Sequence, residues 1–347
     1  VKHSLLDAAH RALGAKMVPF GGWEMPLSYP GGTLSEHRAC REHCVAFDVS
    51  HLGTVEVTGE GAFARLQAAL TNDLAKIGPG RAQYTHLLDD TDGSVLDDII
   101  VWWLPDGRFH VMPNASNTDR VIEAIGGRDI TAERAVIAVQ GPTARATAAS
   151  VVPDAAAVPR FGVTTFDWNG HTINAAGTGY TGEDGIELAV PAAIADQMWG
   201  ALLSAGVAPA GLGARDLLRL EAGLPLHGHE LGAGITPLQA GLAWVVGWDK
   251  GPFRGRTALE KERDTPHRRL RGIVVDGRQP PREGYEVYVE GKPAGTVTSG
   301  NYSPILGRGI ALAFLPHDVA IGDPVEVDIR GNRAVGSVVK LPFVKKG

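Results

Sequence analysis

Apolar and polar positions alternate in short runs along this chain, and the run at 95–103 is the most telling. Val95-Leu96-Asp97-Asp98-Ile99-Ile100-Val101-Trp102-Trp103 reads as a strand. Successive strand side chains point to opposite faces, so Val95, Asp97 and Ile99 share one face and Leu96, Asp98, Ile100 and Trp102 the other. Two carboxylates in an apolar run are costly to bury unless something uses them. Facing opposite ways, they are not expected to share a proton. Asp98 is expected beside Trp102, an aromatic platform wide enough for a flat heterocycle. The plainer alternative is a strand end with one solvated aspartate and one satisfied by nearby backbone.

The same patterning predicts helices at 4–15, 34–44, 61–70, 121–125 and 143–150, and strands at 55–57, 83–88, 108–112 and 136–139. Pro19, Gly21, Gly22 and Pro26 predict a loop between the first two helices. Ile186, Leu188 and Val190 form the apolar face of a further strand, leaving Glu187 opposite and, on pattern alone, solvated. Short strands and helices in alternation indicate an α+β fold, not one doubly wound parallel sheet. From residue 268 onward the pattern changes to strands at 270–275, 286–289, 294–298, 309–315, 324–329 and 334–340, separated by Gly and Pro turns. That predicts a small all-β domain, a barrel, with the charged stretch 261–269 as the linker into it.

Composition narrows the function. At 347 residues the chain is long for one core, and two or three domains are expected. With 44% hydrophobic and 21% charged residues it is globular, and a net charge of -6 argues against general nucleic-acid binding. No run approaches the roughly 18 apolar residues of a membrane span, and residues 2–16 carry charges where a signal peptide would be apolar. The two cysteines, Cys40 and Cys44, fit a reducing compartment, so a cytoplasmic location is expected. Together with His37 and His43 they invite a zinc reading, but on a helix His43 leaves the stripe made by the other three. No metal site is expected.

Two glycine-rich segments carry further chemistry. Gly179-Tyr180-Thr181-Gly182-Glu183-Asp184-Gly185-Ile186-Glu187 lacks the Gly-Lys-Ser/Thr of a phosphate loop, and its three carboxylates would repel phosphate. A tight turn with a tyrosine at its rim suits a ligand bearing hydrogen-bond donors. Gly211-Leu212-Gly213-Ala214-Arg215-Asp216 lacks the third glycine of a dinucleotide fingerprint and follows no clear strand. It reads as a turn into an amphipathic helix. Arg215 near the helix start opposes the macrodipole, which calls for a protein partner or an anionic ligand.

Taken together, these segments resemble the glycine cleavage system T protein (aminomethyltransferase) family. The resemblance runs through Gly14-Ala15-Lys16-Met17-Val18-Pro19-Phe20, Phe47-Asp48-Val49-Ser50-His51-Leu52-Gly53, Leu96-Asp97-Asp98 and Val139-Gln140-Gly141-Pro142. It continues through the Tyr180 turn, the Arg215 helix, Leu226-His227-Gly228 and Thr298-Ser299-Gly300-Asn301-Tyr302-Ser303-Pro304. The resemblance implies a three-domain cloverleaf of the folate-binding type. Residues 1–263 would form two interleaved α+β domains and 264–347 the C-terminal β-barrel.

It also implies an activity. The family moves the one-carbon unit of an aminomethyl group, carried on the dihydrolipoyl arm of H protein, to tetrahydrofolate with release of ammonia, a step of glycine catabolism and one-carbon metabolism. By resemblance Asp98 lies near folate N10 as the catalytic residue. Glu187 and Arg215 recognise the pterin ring with help from Tyr180, while Tyr84, Trp102 and Asn114 line the same cavity. An aspartate with an ordinary pKa near 3.9 is a weak base, so Asp98 is better suited to orient N10 and stabilise developing positive charge than to carry protons. The partners implied are lipoylated H protein, docking transiently, and tetrahydrofolate, with the chain a monomer. Three departures touch the donor side: Trp102 and His227 stand where tyrosine is common, and Gly177 where arginine is common. The alternative is a folate-dependent transferase or demethylase acting on a small molecule, including tailoring of secondary metabolites. A folate-binding accessory protein is less favoured, because Lys250-Gly251-Pro252-Phe253 lacks the cysteine of that branch.

Overall fold

The computed structural model describes residues 1–345. The chain forms two compact units, neither contiguous in sequence: Val1–Leu87 with Asp97–Asp216, and Leu88–Leu96 with residue 217 onward. Among the described residues no helix is long and apolar enough to cross a membrane.

The first unit holds three sheets. Trp23–Ser28 lies between Lys2–His3 and Lys16–Phe20. Residues 16–28 are therefore a hairpin where the sequence predicts a loop. Gly21 and Gly22 both take positive φ at its tip, so two of the residues that read as loop punctuation make a turn between paired strands. A five-stranded sheet has the order Arg81–Leu88, Val95–Trp103, Phe109–Met112, Val55–Val57, Arg128–Asp129. A six-stranded sheet has the order Val163–Trp168, His171–Ala176, Gly185–Pro191, Arg134–Gln140, Val45–Asp48, Ala208–Pro209. Helices Ala144–Ala148 and Ala195–Ser204 cover this last sheet, burying Ile137, Val139, Ile186 and Leu188 against Ala144, Met198, Trp199 and Leu202. Strand Arg134–Gln140 is buried along its whole length, as expected for a strand covered on both faces.

The second unit is built around a closed barrel of Arg269–Val275, Arg308–Leu315, Lys292–Ser303, Glu286–Val289, Pro324–Ile329 and Asn332–Val339. Alternate residues fill it, among them Ile273, Val287, Val297, Ala311, Ala313, Val327 and Val338, and closure leaves no sheet edge exposed. Ser299 and Ser303 of the long strand Lys292–Ser303 receive the helix that precedes the barrel: Arg219 donates to Ser299 Oγ at 2.8 Å and Ser303 Oγ donates to Glu221 at 2.5 Å. The stretch expected to be a plain linker begins in helix Arg256–Arg263 and becomes irregular only after it. The turn 89–94 also belongs to this unit, with Asp90 accepting from the Gly255 amide at 2.9 Å and Ile235 O from the Val95 amide at 2.8 Å.

Helix Leu212–Glu221, which carries Arg215, starts in a tight place. A Cβ on Gly211 would fall 2.4 Å from the carbonyl carbon and oxygen of Leu27, and one on Gly213 would fall 2.5 Å from Thr33 Oγ1. The buried Glu36 carboxylate accepts from the Gly211 amide at 2.9 Å and from the Tyr29 amide at 2.5 Å. A carboxylate at the helix N-terminus offsets the cost of placing Arg215 in the first turn. G211A is expected to cost about 2–4 kcal/mol, because the clash is with backbone that cannot swing aside. A urea midpoint equal to that of the wild type would contradict this packing.

Candidate active site

Asp97 and Asp98 face opposite sides of strand Val95–Trp103, as the pleat requires, and their environments differ accordingly. Asp97 is fully buried. It accepts from the Asn114 amide at 3.0 Å, from Asn114 Nδ2 at 2.7 Å and from Asn117 Nδ2 at 2.9 Å. Asp98 is half-buried. Its Oδ1 accepts from Asn114 Nδ2 at 2.8 Å and its Oδ2 from the Tyr84 hydroxyl at 3.1 Å. Asn114 thus holds both carboxylates from one residue, just past strand Phe109–Met112. The neighbouring loop is locked as well: the Gly53 amide donates to Pro113 O at 3.0 Å, and a Cβ at Gly53 would strike Thr118 Oγ1 at 2.3 Å.

Tyr84, from the adjacent strand, has its phenol pushed well above the ordinary range by burial, with the charge of Asp98 and the nearby Tyr180 adding to it. It stays a neutral donor to Asp98. Tyr180 lies in turn under Arg215, whose guanidinium stands 4.9 Å from the ring centre. Burial weakens the hold of Arg215 on its proton, while Glu187 and then Tyr180 strengthen it through space. Arg215 Nη1 is buried with no hydrogen-bond partner.

Glu187, expected from pattern to be solvated, is 8% exposed. Thr178 Oγ1 donates to its Oε2 at 2.5 Å. The preceding turn is shaped by Gln140. Its Nε2 donates to Thr178 O at 3.1 Å, and Thr181 Oγ1 donates to its Oε1 at 2.9 Å. A Cβ on Gly179 would overlap Gln140 Oε1 at 1.9 Å, which explains that glycine. The acidic residues of the turn are used by the fold: Glu183 pairs with Arg41, and Asp184 with Arg145 at 2.8 Å.

Trp102 departs from expectation. It is not an open platform beside Asp98 but fully buried, packed with Ala82, Met112, Val163, Ala176 and Ala189. The face it shares with Asp98 is the one covered by the six-stranded sheet, and a large ring there becomes filling. Its indole Nε1 has no hydrogen-bond partner. The remaining expected residues, Asp98, Tyr84, Asn114, Tyr180, Glu187 and Arg215, form one connected group within the first unit. Sequence reasoning assigned no role to Asp97, Asn117 or Thr178. Asp97 had a signal, as the inward carboxylate of an apolar strand, whereas the two others depend on contacts no spacing reveals. The buried cysteines Cys40 and Cys44 are free thiols, and burial pushes Cys40 up to about 12.

The residues present suit a flat, nitrogen-rich ring: a buried carboxylate to accept from ring N–H groups, an uncommitted guanidinium to donate, and a tyrosine beside them. The family profile "GCVT N-terminal domain" matches residues 6–250, and "Glycine cleavage T-protein C-terminal barrel domain" matches 268–345. An aminomethyltransferase of Mycolicibacterium paratuberculosis is 45% identical, with 99% of this chain and 96% of that protein covered. One from Streptomyces avermitilis is 44% identical, with 99% and 98% covered. The crystal structure of glycine cleavage system aminomethyltransferase T from Bartonella henselae superposes with a TM-score of 0.91 at 34% identity, covering 99% of this chain and 98% of that one.

Asn114→Ala removes the side-chain donor shared by buried Asp97 and Asp98 and leaves only its backbone amide on Asp97. The expected loss is about 2–4 kcal/mol of stability, each hydrogen bond to a charged group contributing about 1.5–3. Chemical denaturation checks it, and a loss below about 0.5 kcal/mol would mean that Asn114 is not what holds the pair.

Proposed function

The chain belongs to the glycine cleavage T-protein family, and from that premise we propose that Asp98 is its catalytic residue and that Tyr84, Asn114, Tyr180, Glu187 and Arg215 form its folate site. The protein is a tetrahydrofolate-dependent aminomethyltransferase. Tetrahydrofolate, when bound, supplies the nitrogens that accept the one-carbon unit. The donor in this reading is the aminomethyl group on the dihydrolipoyl arm of a transiently docked H protein, with ammonia released, and the protein acts as a monomer in the cytoplasm.

The observation that carries the reading is the contrast between Asp98 and Glu187. Asp98 has one oxygen fixed by Tyr84 and the other by Asn114. It is an oriented acceptor held in place before any substrate arrives. Such a carboxylate attracts positive charge developing at the transferred carbon by roughly 4 kcal/mol at about 4 Å with an effective dielectric near 20. Because the donors are in place beforehand, little reorganisation is required during the reaction. Glu187 is buried, with Thr178 on one oxygen. Its position suits recognition of ring N–H groups, and the uncommitted Nη1 of Arg215 suits a ring oxygen or nitrogen. Recognition and chemistry are divided between the two carboxylates. Trp102 enters this reading as buried filling further along the Asp98 face of the strand.

The test separates the two roles. D98N keeps the shape but loses the charge, so tetrahydrofolate binding is expected within about 3-fold of wild type while turnover falls by about 100-fold or more. E187Q is expected to behave the other way, raising the tetrahydrofolate dissociation constant by about 10-fold or more with a smaller change at saturation. Full turnover in D98N would remove Asp98 from the mechanism.

A further inference from the structure

The turn 49–54 follows strand Val45–Asp48, and its polar groups are almost all spent on the fold. Arg134, itself 5% exposed, donates to Ser50 O at 3.1 Å, to Leu52 O at 2.5 Å and to Thr54 Oγ1 through Nε at 2.8 Å. Ser50 donates its amide to Asp48 Oδ1 at 2.9 Å and accepts from the Val136 amide at 2.9 Å. The Gly53 amide is bound to Pro113 O, on the loop that carries Asn114. A guanidinium holding the carbonyls on both sides of one residue fixes that residue's direction. The residue is His51.

His51 uses none of this. It is 4% exposed, its Nδ1 is buried without a hydrogen-bond partner, and the edge of its ring meets Phe20 with 5.3 Å between ring centres. Burial pushes its pKa down to about 3, with Arg215 the next cause and Arg134 adding, against the opposing pull of Asp48. The imidazole is therefore neutral near pH 7, with one ring nitrogen a donor and the other an acceptor. Arg215 is close enough to act on it and also has a buried, unpartnered nitrogen. Two uncommitted polar groups in one neighbourhood are costly in the empty protein, at the end of a turn built to hold one of them still.

We propose that His51 is a further ligand-binding residue, whose buried, unpartnered ring nitrogen meets the reduced pterin ring beside Arg215. The inference rests on the folate reading of the site. It assigns His51 a contact with the ligand, while Arg134 and Asp48 position the turn that presents it.

Isothermal titration of the full chain with tetrahydrofolate, combined with thermal unfolding of the ligand-free protein, tests this. His51→Leu is of similar size and removes the unpartnered nitrogen. It is expected to raise the dissociation constant by about 10-fold while leaving the melting temperature equal or higher. His51→Asn, whose amide can donate and accept, is expected to stay within about 3-fold of wild-type affinity. A structural histidine would give the opposite pair of results in His51→Leu, a lower melting temperature with unchanged affinity, and that outcome overturns the proposal. So does equal loss of affinity and stability in both variants. A wild type that does not bind tetrahydrofolate overturns the folate reading itself, and this inference with it.

Discussion

Adjacent residues of a strand cannot face the same way, and the site depends on that constraint being satisfied twice at one place. Asp97 points inward, where an unpaired carboxylate would be prohibitive, and three donors from Asn114 and Asn117 make its burial tolerable. Asn114, already fixed by that duty, extends the same Nδ2 to Asp98 on the other face. The rigidity of the Asp98 carboxylate is thus borrowed from a buried one. Tyr84 completes the arrangement from the neighbouring strand, and Gly53 ties the loop of Asn114 to the turn of His51. A change at Asn117 or Gly53 reaches Asp98 without touching it.

Around this fixed acceptor, the protein leaves selected groups unsatisfied. The acids of the Tyr180 turn are matched by Arg41 and Arg145, and Glu36 answers the Gly211 amide at the start of the Arg215 helix. Arg215 Nη1 and His51 Nδ1 are left without partners. Buried donors and acceptors that lack partners lower the stability of the empty state and favour a ligand able to complete them. The balance of charge follows the same logic. Burial keeps the His51 imidazole neutral, so no second cation joins the guanidinium of Arg215 in its neighbourhood.

Much of this was legible in the sequence, and the remainder has physical reasons for being hidden. The strand Val95–Trp103 and the barrel strands follow a period of two that needs no tertiary information. Residues 16–28 read as a loop because Pro19 and Pro26 fall inside strands of a short hairpin, at positions where local propensity argues against strand. The hairpin Val163–Trp168 with His171–Ala176 and the helix Ala195–Ser204 lacked a pattern strong enough to be read. Pattern alone makes Glu187 solvated and Trp102 an open platform, and both readings fail for one shared reason. Strand alternation says which side a residue takes but not whether that side meets water or another sheet. In this protein Glu187 is enclosed and Trp102 becomes core. The site residues themselves, spread from Tyr84 to Arg215, were gathered by family resemblance, since no spacing rule joins positions so far apart.

The most direct measurement is release of ammonia and formation of 5,10-methylene-tetrahydrofolate from aminomethylated, lipoyl-bearing H protein, with and without tetrahydrofolate. The expected result is turnover that requires both tetrahydrofolate and the H-protein donor. Tetrahydrofolate binding with no turnover of that donor, together with turnover of a small methylated compound, would contradict the aminomethyl-transfer assignment and move the reaction to a different donor on the same folate site.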